Sequence, residues 1–269
     1  LYAVFVALVM TALSIAIPTA MADDTTASLT VGEVAPAIQV VWNVSASYSP
    51  TSCGATPLVF YFNASDTNNN LNDSLARGRV VSDSIDSGWT TCTLYAGGGL
   101  VNRTYKCTLN LQYYYNNETY TVYANASDTA TNSAQDTSKT YGYTELVDIT
   151  FPATIGFGTV ASPSTDNPSG AKTTTNCGNK DVYINWTGAN LEGQTNPSEY
   201  IGIGNFTINT EDNAGTSTPM QAVSFRYPVS AIPKGAAGNT LDYYFWADVP
   251  TGMSAQVYQA TWTITALLT

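Results

Sequence analysis

Beyond residue 22 the chain alternates apolar and polar side chains with a period of two and shows almost no helical periodicity, which restricts its fold more than any other feature. Residues 39–45 (QVVWNVS), 58–62 (LVFYF), 119–123 (TYTVY) and 256–264 (QVYQATWTI) carry the pattern. Successive strand side chains point to opposite faces, so such a run buries one face and wets the other. The runs are short, rich in β-branched and aromatic residues, and punctuated by Gly, Pro, Asn and Asp, as in sandwiches. The chain is predicted to be all-β, with two tandem Ig-like β-sandwich domains following an N-terminal hydrophobic helix. The first domain is placed at 30–145 and the second at 146–269, joined where a polar Thr/Ser/Asn stretch gives way to an apolar run.

Residues 1–22 form an uncharged leader ending in Ala20-Met21-Ala22 ahead of Asp23-Asp24, with Pro18 placed to break a helix. Small-x-small before a polar boundary is the cleavage pattern of a secretory signal peptide. The alternative is a retained pilin-like helix that packs in a filament core or spans a bilayer, although Pro18 would end it early. Membrane contact is expected only through this segment, if it is retained.

Eight Asn-x-Ser/Thr sequons start at Asn43, Asn63, Asn72, Asn102, Asn117, Asn125, Asn185 and Asn205, all within or beside strand-patterned segments. They predict N-linked glycans and an extracellular or cell-surface location. The four cysteines fit an oxidising compartment. Cys92 and Cys107 flank the turn Tyr95-Ala96-Gly97-Gly98-Gly99 and are expected to staple a hairpin. Cys53 and Cys177 either bond to each other and tie the two halves together or remain buried thiols. Twenty carboxylates stand against nine Lys and Arg, a net charge of −11, with no basic cluster. Nothing in that distribution neutralises phosphates, which argues against nucleic acid and anionic lipid surfaces.

An internal echo supports the Ig-like reading of the first half. Tyr61-Phe62-Asn63-Ala64-Ser65-Asp66-Thr67 returns as Tyr123-Ala124-Asn125-Ala126-Ser127-Asp128-Thr129, each time a strand running out into an Asn/Asp/Thr loop. With Val31-Gly32-Glu33-Val34-Ala35-Pro36, these loops resemble the Ig-like or PKD-like modules of secreted archaeal surface proteins. In the second half, Gly156-Phe157-Gly158-Thr159-Val160 and then Asn176-Cys177-Gly178-Asn179 are similar to the opening of abnormal-spindle/hydin-type Ig-like modules. Asp248-Val249-Pro250-Thr251-Gly252-Met253 with Tyr258 resembles their last turn and strand. The resemblance implies a β-sandwich fold and a cell-surface location, including a pilus or filament subunit, and it carries over no catalytic residues.

Reactive constellations are scarce. With no histidine, neither a Ser-His-Asp nor a Cys-His arrangement is possible, and the cysteines lack zinc-site spacing. Gly97-Gly98-Gly99 lacks the Lys and helix of a phosphate cradle. Paired carboxylates suffice for glycoside hydrolysis, which makes Glu211, Asp212, Asp242 and Asp248 candidates, although acidic residues on sandwich loops are ordinarily just solvated. Trp42, Trp89, Trp186, Trp246 or Trp262 could stack on sugar rings if exposed, and belong to cores otherwise. Asp66, Asn68, Asn70 and Asp73 place oxygens at intervals that could wrap calcium, the only cofactor the sequence suggests. Leu71 and Arg77 depart from the EF-hand pattern, and a plain Asx-rich loop is the simpler reading.

The expectation is a non-enzymatic extracellular structural protein, a glycosylated subunit of a filament, pilus or surface layer whose partners are further copies of itself. A monomeric carbohydrate-binding or adhesin module is the alternative, ahead of an accessory domain for glycan processing.

Overall fold

The structure is a computed structural model that describes residues 32–99 and 101–269. The leader and the first residues of the expected first domain lie outside the described residues. Among the described residues the regular structure is strand, apart from three short 3-10 turns. Between residues 34 and 143 the strands are β1 (Ala37–Trp42), β2 (Ser47–Tyr48), β3 (Ala55–Ser65), β4 (Arg77–Val81), β5 (Thr90–Thr91), β6 (Thr93–Ala96), β7 (Asn102–Gln112), β8 (Thr119–Ser127) and β9 (Ser133–Tyr143). They form two sheets, ordered β1-β3-β7-β6 and β2-β9-β8-β4-β5.

The alternation seen in the sequence becomes the buried face. Leu58, Phe60, Phe62 and Ala64 of β3, with Tyr105, Cys107, Leu109 and Leu111 of β7, meet Val80 of β4, Tyr120 and Val122 of β8 and Tyr141 of β9 in one core. Fully burying each large side chain stabilises by roughly 1.5–3 kcal/mol. Gly78 marks where the layers touch most closely: a Cβ there would lie 2.7 Å from the Phe60 ring and 3.1 Å from the Cys107 sulfur. The Cys92–Cys107 disulfide anchors the β6–β7 hairpin to this core, with Cα atoms 4.3 Å apart.

The second lobe contains β10 (Ile149–Thr150), β11 (Ser164–Pro168), β12 (Lys172–Asn176), β13 (Val182–Thr187), β14 (Leu191–Gly193), β15 (Tyr200–Ile201), β16 (Phe206–Asn209), β17 (Thr218–Pro219), β18 (Phe225–Arg226), β19 (Thr240–Val249), β20 (Tyr258–Gln259) and β21 (Thr263–Leu268). The main sheet runs β10-β12-β19-β16-β17, with β11 also on β19. Two smaller sheets run β18-β13-β21 and β15-β14-β20. Trp186 of β13 is the hub of a separate core, with ring centroids 5.2 Å from Phe151, 5.1 Å from Tyr243 and 5.3 Å from Phe245. Val34–Thr269 nevertheless forms one compact unit.

One sequence-based strand expectation changes. Residues 256–264 split between β20 and the start of β21, because Trp262 turns inward and donates its indole N–H to Ala189 O at 2.9 Å. The Tyr113-Tyr114-Tyr115 run lies past the end of β7, in the turn towards β8. Stacked edge to face, these rings fill a corner.

Candidate functional site

Four consecutive residues starting at the end of β12, Asn176-Cys177-Gly178-Asn179, are all buried, and around them the two lobes are fastened together. Cys177 is bonded to Cys53, which precedes β3, with Cα atoms 4.4 Å apart. Its backbone N–H donates to Asp148 O at 2.9 Å, while Cys53 N–H donates to Cys177 O at 3.3 Å. Asn179 holds the connecting segment on both sides. Its Oδ1 accepts from Leu146 N–H at 2.8 Å and its Nδ2 donates to Thr144 O at 2.8 Å. Asn176 Nδ2 donates to Lys180 O and Ile232 O, and its Oδ1 accepts from Gly178 N–H. Buried amides satisfied on both ends fix geometry, because losing any partner strands a polar group out of water.

A second set of contacts lies alongside. Tyr113 Oη donates to Gly235 O at 3.0 Å and accepts from Asn239 Nδ2 at 2.9 Å. Lys234 Nζ donates to Asn116 Oδ1. Burial pushes the Lys234 ammonium below its ordinary pKa, against the opposing attraction of Asp181. The turn between β7 and β8 thus grips the loop before β19. Disulfide, amide clamp and tyrosine together set the relation of one core to the other.

The remaining candidates are dispersed. Asn43, Asn102 and Asn117 are exposed, whereas Asn63, Asn72, Asn125, Asn185 and Asn205 are half-buried. Asn185 Nδ2 donates to Ser224 Oγ, and Asn72 Oδ1 caps the short 3-10 turn Asp73–Leu75. The loops after the echoed strands touch: Thr129 N–H donates to Asn70 O and Asn72 N–H to Ser127 O. Of the expected calcium donors, Asp73 is drawn away, its Oδ1 accepting from Arg103 at 2.9 Å and from Tyr105 Oη at 2.7 Å. Asn68 Oδ1 accepts from Val34 N–H, and Asp66 Oδ1 from Asn68 N–H. Asp66 is buried and Asn70 half-buried. Among the described residues no three His, Cys, Asp or Glu side chains converge as a metal site.

The candidate carboxylates are exposed. Asp242 and Asp248 sit on one strand, six residues and therefore about 20 Å apart, well beyond the roughly 5–9.5 Å of a glycosidase pair. Glu211 and Asp212 follow β16 in a turn. Trp186 and Trp246 are buried and Trp262 is half-buried, which leaves Trp42 and Trp89, each 38% exposed. Trp42 stacks on Tyr61, which meets the 64%-exposed Tyr95 edge to face. The Arg79 guanidinium lies 4.4 Å from the Trp89 ring and 4.7 Å from the Tyr123 ring, which meet each other edge to face.

Sequence reasoning did not single out a groove in the second lobe. It has a volume of about 800 Å³ and continues into a second of about 760 Å³, with Phe157 and Ile155 on one wall and Val257 and Tyr258 on the other. Glu199 pins that second wall by accepting from Ser254 Oγ at 2.7 Å and Tyr258 Oη at 2.8 Å. The Ser254 hydroxyl, the Tyr258 hydroxyl and the Ser254 backbone N–H hold its carboxyl down to a pKa of about 2. A periodicity search could not find the groove, since residues 151–163 carry neither repeat. Neither a protein-family model nor a curated protein matches this chain.

Proposed function

We propose that this is a non-enzymatic extracellular structural protein, a glycosylated subunit of a cell-surface filament, pilus or surface layer. The observation that carries the reading is the junction. Domains joined by a plain linker move relative to one another by default, whereas here a disulfide and buried amides fasten two strand-built lobes. A subunit that transmits tension along a polymer needs that fixed relation; a catalyst does not. On this reading each lobe is an Ig-like sandwich of the kind found in archaeal surface proteins, with the domain boundary at residues 145–146 inside the clamped connector. The exposed sequons Asn43, Asn102 and Asn117 are the first to carry glycans. Electron microscopy of native material is the test: polymers with this chain as the repeat are expected, and a monodisperse monomer at high concentration would sink the reading.

A second reading is favoured by one specific feature, the exposed Trp42-Tyr61-Tyr95 cluster, which has the flat aromatic area that stacks on sugar rings. It predicts glycan-array binding that disappears in Trp42→Ala.

A further inference from the structure

The two echoed segments carry the same constellation on two different sheets. Alternation on β3 buries Phe62 and Ala64 and turns Tyr61, Asn63 and Ser65 outward, so a whole sequon shares one face with the tyrosine two residues before it. On β8 it buries Ala124 and Ala126 and turns out Tyr123, Asn125 and Ser127. Each outward tyrosine meets one of the two exposed tryptophans. Trp42 is the cross-strand neighbour of Tyr61 and stacks on it, with ring centroids 5.8 Å apart and planes 17° from parallel, while Trp89 meets Tyr123 edge to face at 6.4 Å. Exposed apolar rings in contact form a surface that gains from being covered.

The sequon asparagine beside each pair can supply that cover. Two residues along a strand span about 7 Å, so a sugar on Asn63 or Asn125 begins that far from its tyrosine and on the same side of the sheet. One face of a pyranose ring is lined with C–H groups, and laying it on an aromatic face removes apolar area from water on both partners. A covalent tether this short holds the sugar at an effective concentration of about millimolar, so a contact too weak to retain a free saccharide is populated. Asn63 Nδ2 donates to Thr104 Oγ1 at 3.4 Å, a bond that one N–H can keep while the other is substituted, and Asn125 Oδ1 accepts from the hydroxyl of its own sequon, Ser127 Oγ, at 3.4 Å. Asn185 has the spacing without the seat. Its strand β13 also turns out Tyr183, Asn185 and Thr187, but the Arg226 guanidinium covers the Tyr183 ring at 3.8 Å and Trp186 is buried.

We propose that Trp42 with Tyr61 and Trp89 with Tyr123 are seats for the chain's own N-linked glycans, whose first sugars on Asn63 and Asn125 lie flat over these rings. This rests on the glycosylated reading and deepens it. Seated sugars differ from those on the exposed Asn43, Asn102 and Asn117 in being held against the protein, and they occupy from within the Trp42 surface that the second reading offers to a foreign sugar.

The test is oxidative footprinting of the tryptophans, read by mass spectrometry on the native glycosylated chain and its sequon variants, with occupancy of each sequon mapped in the same spectra. Asn63→Gln is expected to raise the labelling of Trp42 severalfold and leave Trp89 unchanged. Asn125→Gln is expected to do the reverse, and Asn185→Gln to move neither. Ser65→Ala and Ser127→Ala remove the same glycans while keeping the asparagines, and should reproduce the crossed pattern; if they do not, the shielding comes from the side chain and not from its sugar, which overturns the seats. Glycans present on Asn63 and Asn125 whose removal leaves both tryptophans as shielded as before overturn the seats and leave the glycosylated reading standing, as do empty Asn63 and Asn125 on a chain glycosylated elsewhere. Binding of free glycans through Trp42 by a chain fully occupied at Asn63 shows that seat open and overturns it. A native chain with no sugar at any sequon overturns the glycosylated reading and the seats with it.

Discussion

Gly178 has no room for a side chain. A Cβ would stand 2.3 Å from Leu146 O, a backbone atom that the Asn179 N–H already bonds. Gly178→Ala is therefore expected to destabilise by about 1–3 kcal/mol, as overpacking does, measured by denaturant unfolding. Glu199 is a second residue whose neighbours decide its behaviour. Its folded pKa, about 2, lies below its ordinary value of 4.5, so its contribution is present above 4.5 and lost as pH falls through about 2. NMR titration should find this carboxylate still ionised when most others have protonated, and Glu199→Gln should remove its part of the acid limb. Neither role is legible in the sequence. A glycine and a glutamate in polar surroundings read as turn and surface until residues 146 and 254 are brought beside them.

At the scale of elements, the long strands were legible because alternation is a local signal that burial then uses: Leu58, Phe60 and Phe62 on β3 and Tyr120 and Val122 on β8 face the core as their spacing requires. Two-residue pairings such as β5, β10 and β15 were not, because only a partner at the right register makes so short a run a strand. The break before β21 has the same cause, since Trp262 follows the Ala189 carbonyl and not its own periodicity. On β7 the alternation places Arg103 facing inward, and the Asp73 carboxylate with the Leu71 carbonyl makes that tolerable. Tyr105→Phe would remove one bond to Asp73 while keeping the ring packed on Phe62. The expected loss is about 1 kcal/mol by thermal unfolding, larger if Asp73 then releases Arg103.

For the whole molecule, the two disulfides differ in what they close. Cys92–Cys107 spans 15 residues and Cys53–Cys177 spans 124. In the chain-entropy model these stabilise by about 3 and about 5 kcal/mol respectively. Replacing Cys53 and Cys177 by Ser should cost more than replacing Cys92 and Cys107, and should split one calorimetric transition into two, because each lobe has its own core. A single transition in that variant would show that the amide clamp and Tyr113 suffice to couple the lobes. The sequence by itself determined the strand class, the inward faces of the long strands and the residue types available for chemistry, because alternation, turn residues and composition are properties of neighbours along the chain. Tertiary structure alone decided that Cys53 meets Cys177, that Asp73 serves Arg103, and that only Trp42 and Trp89 remain open among the tryptophans. Each of these depends on which distant segments share a surface, and the free energy of burial and pairing settles that for the chain as a whole.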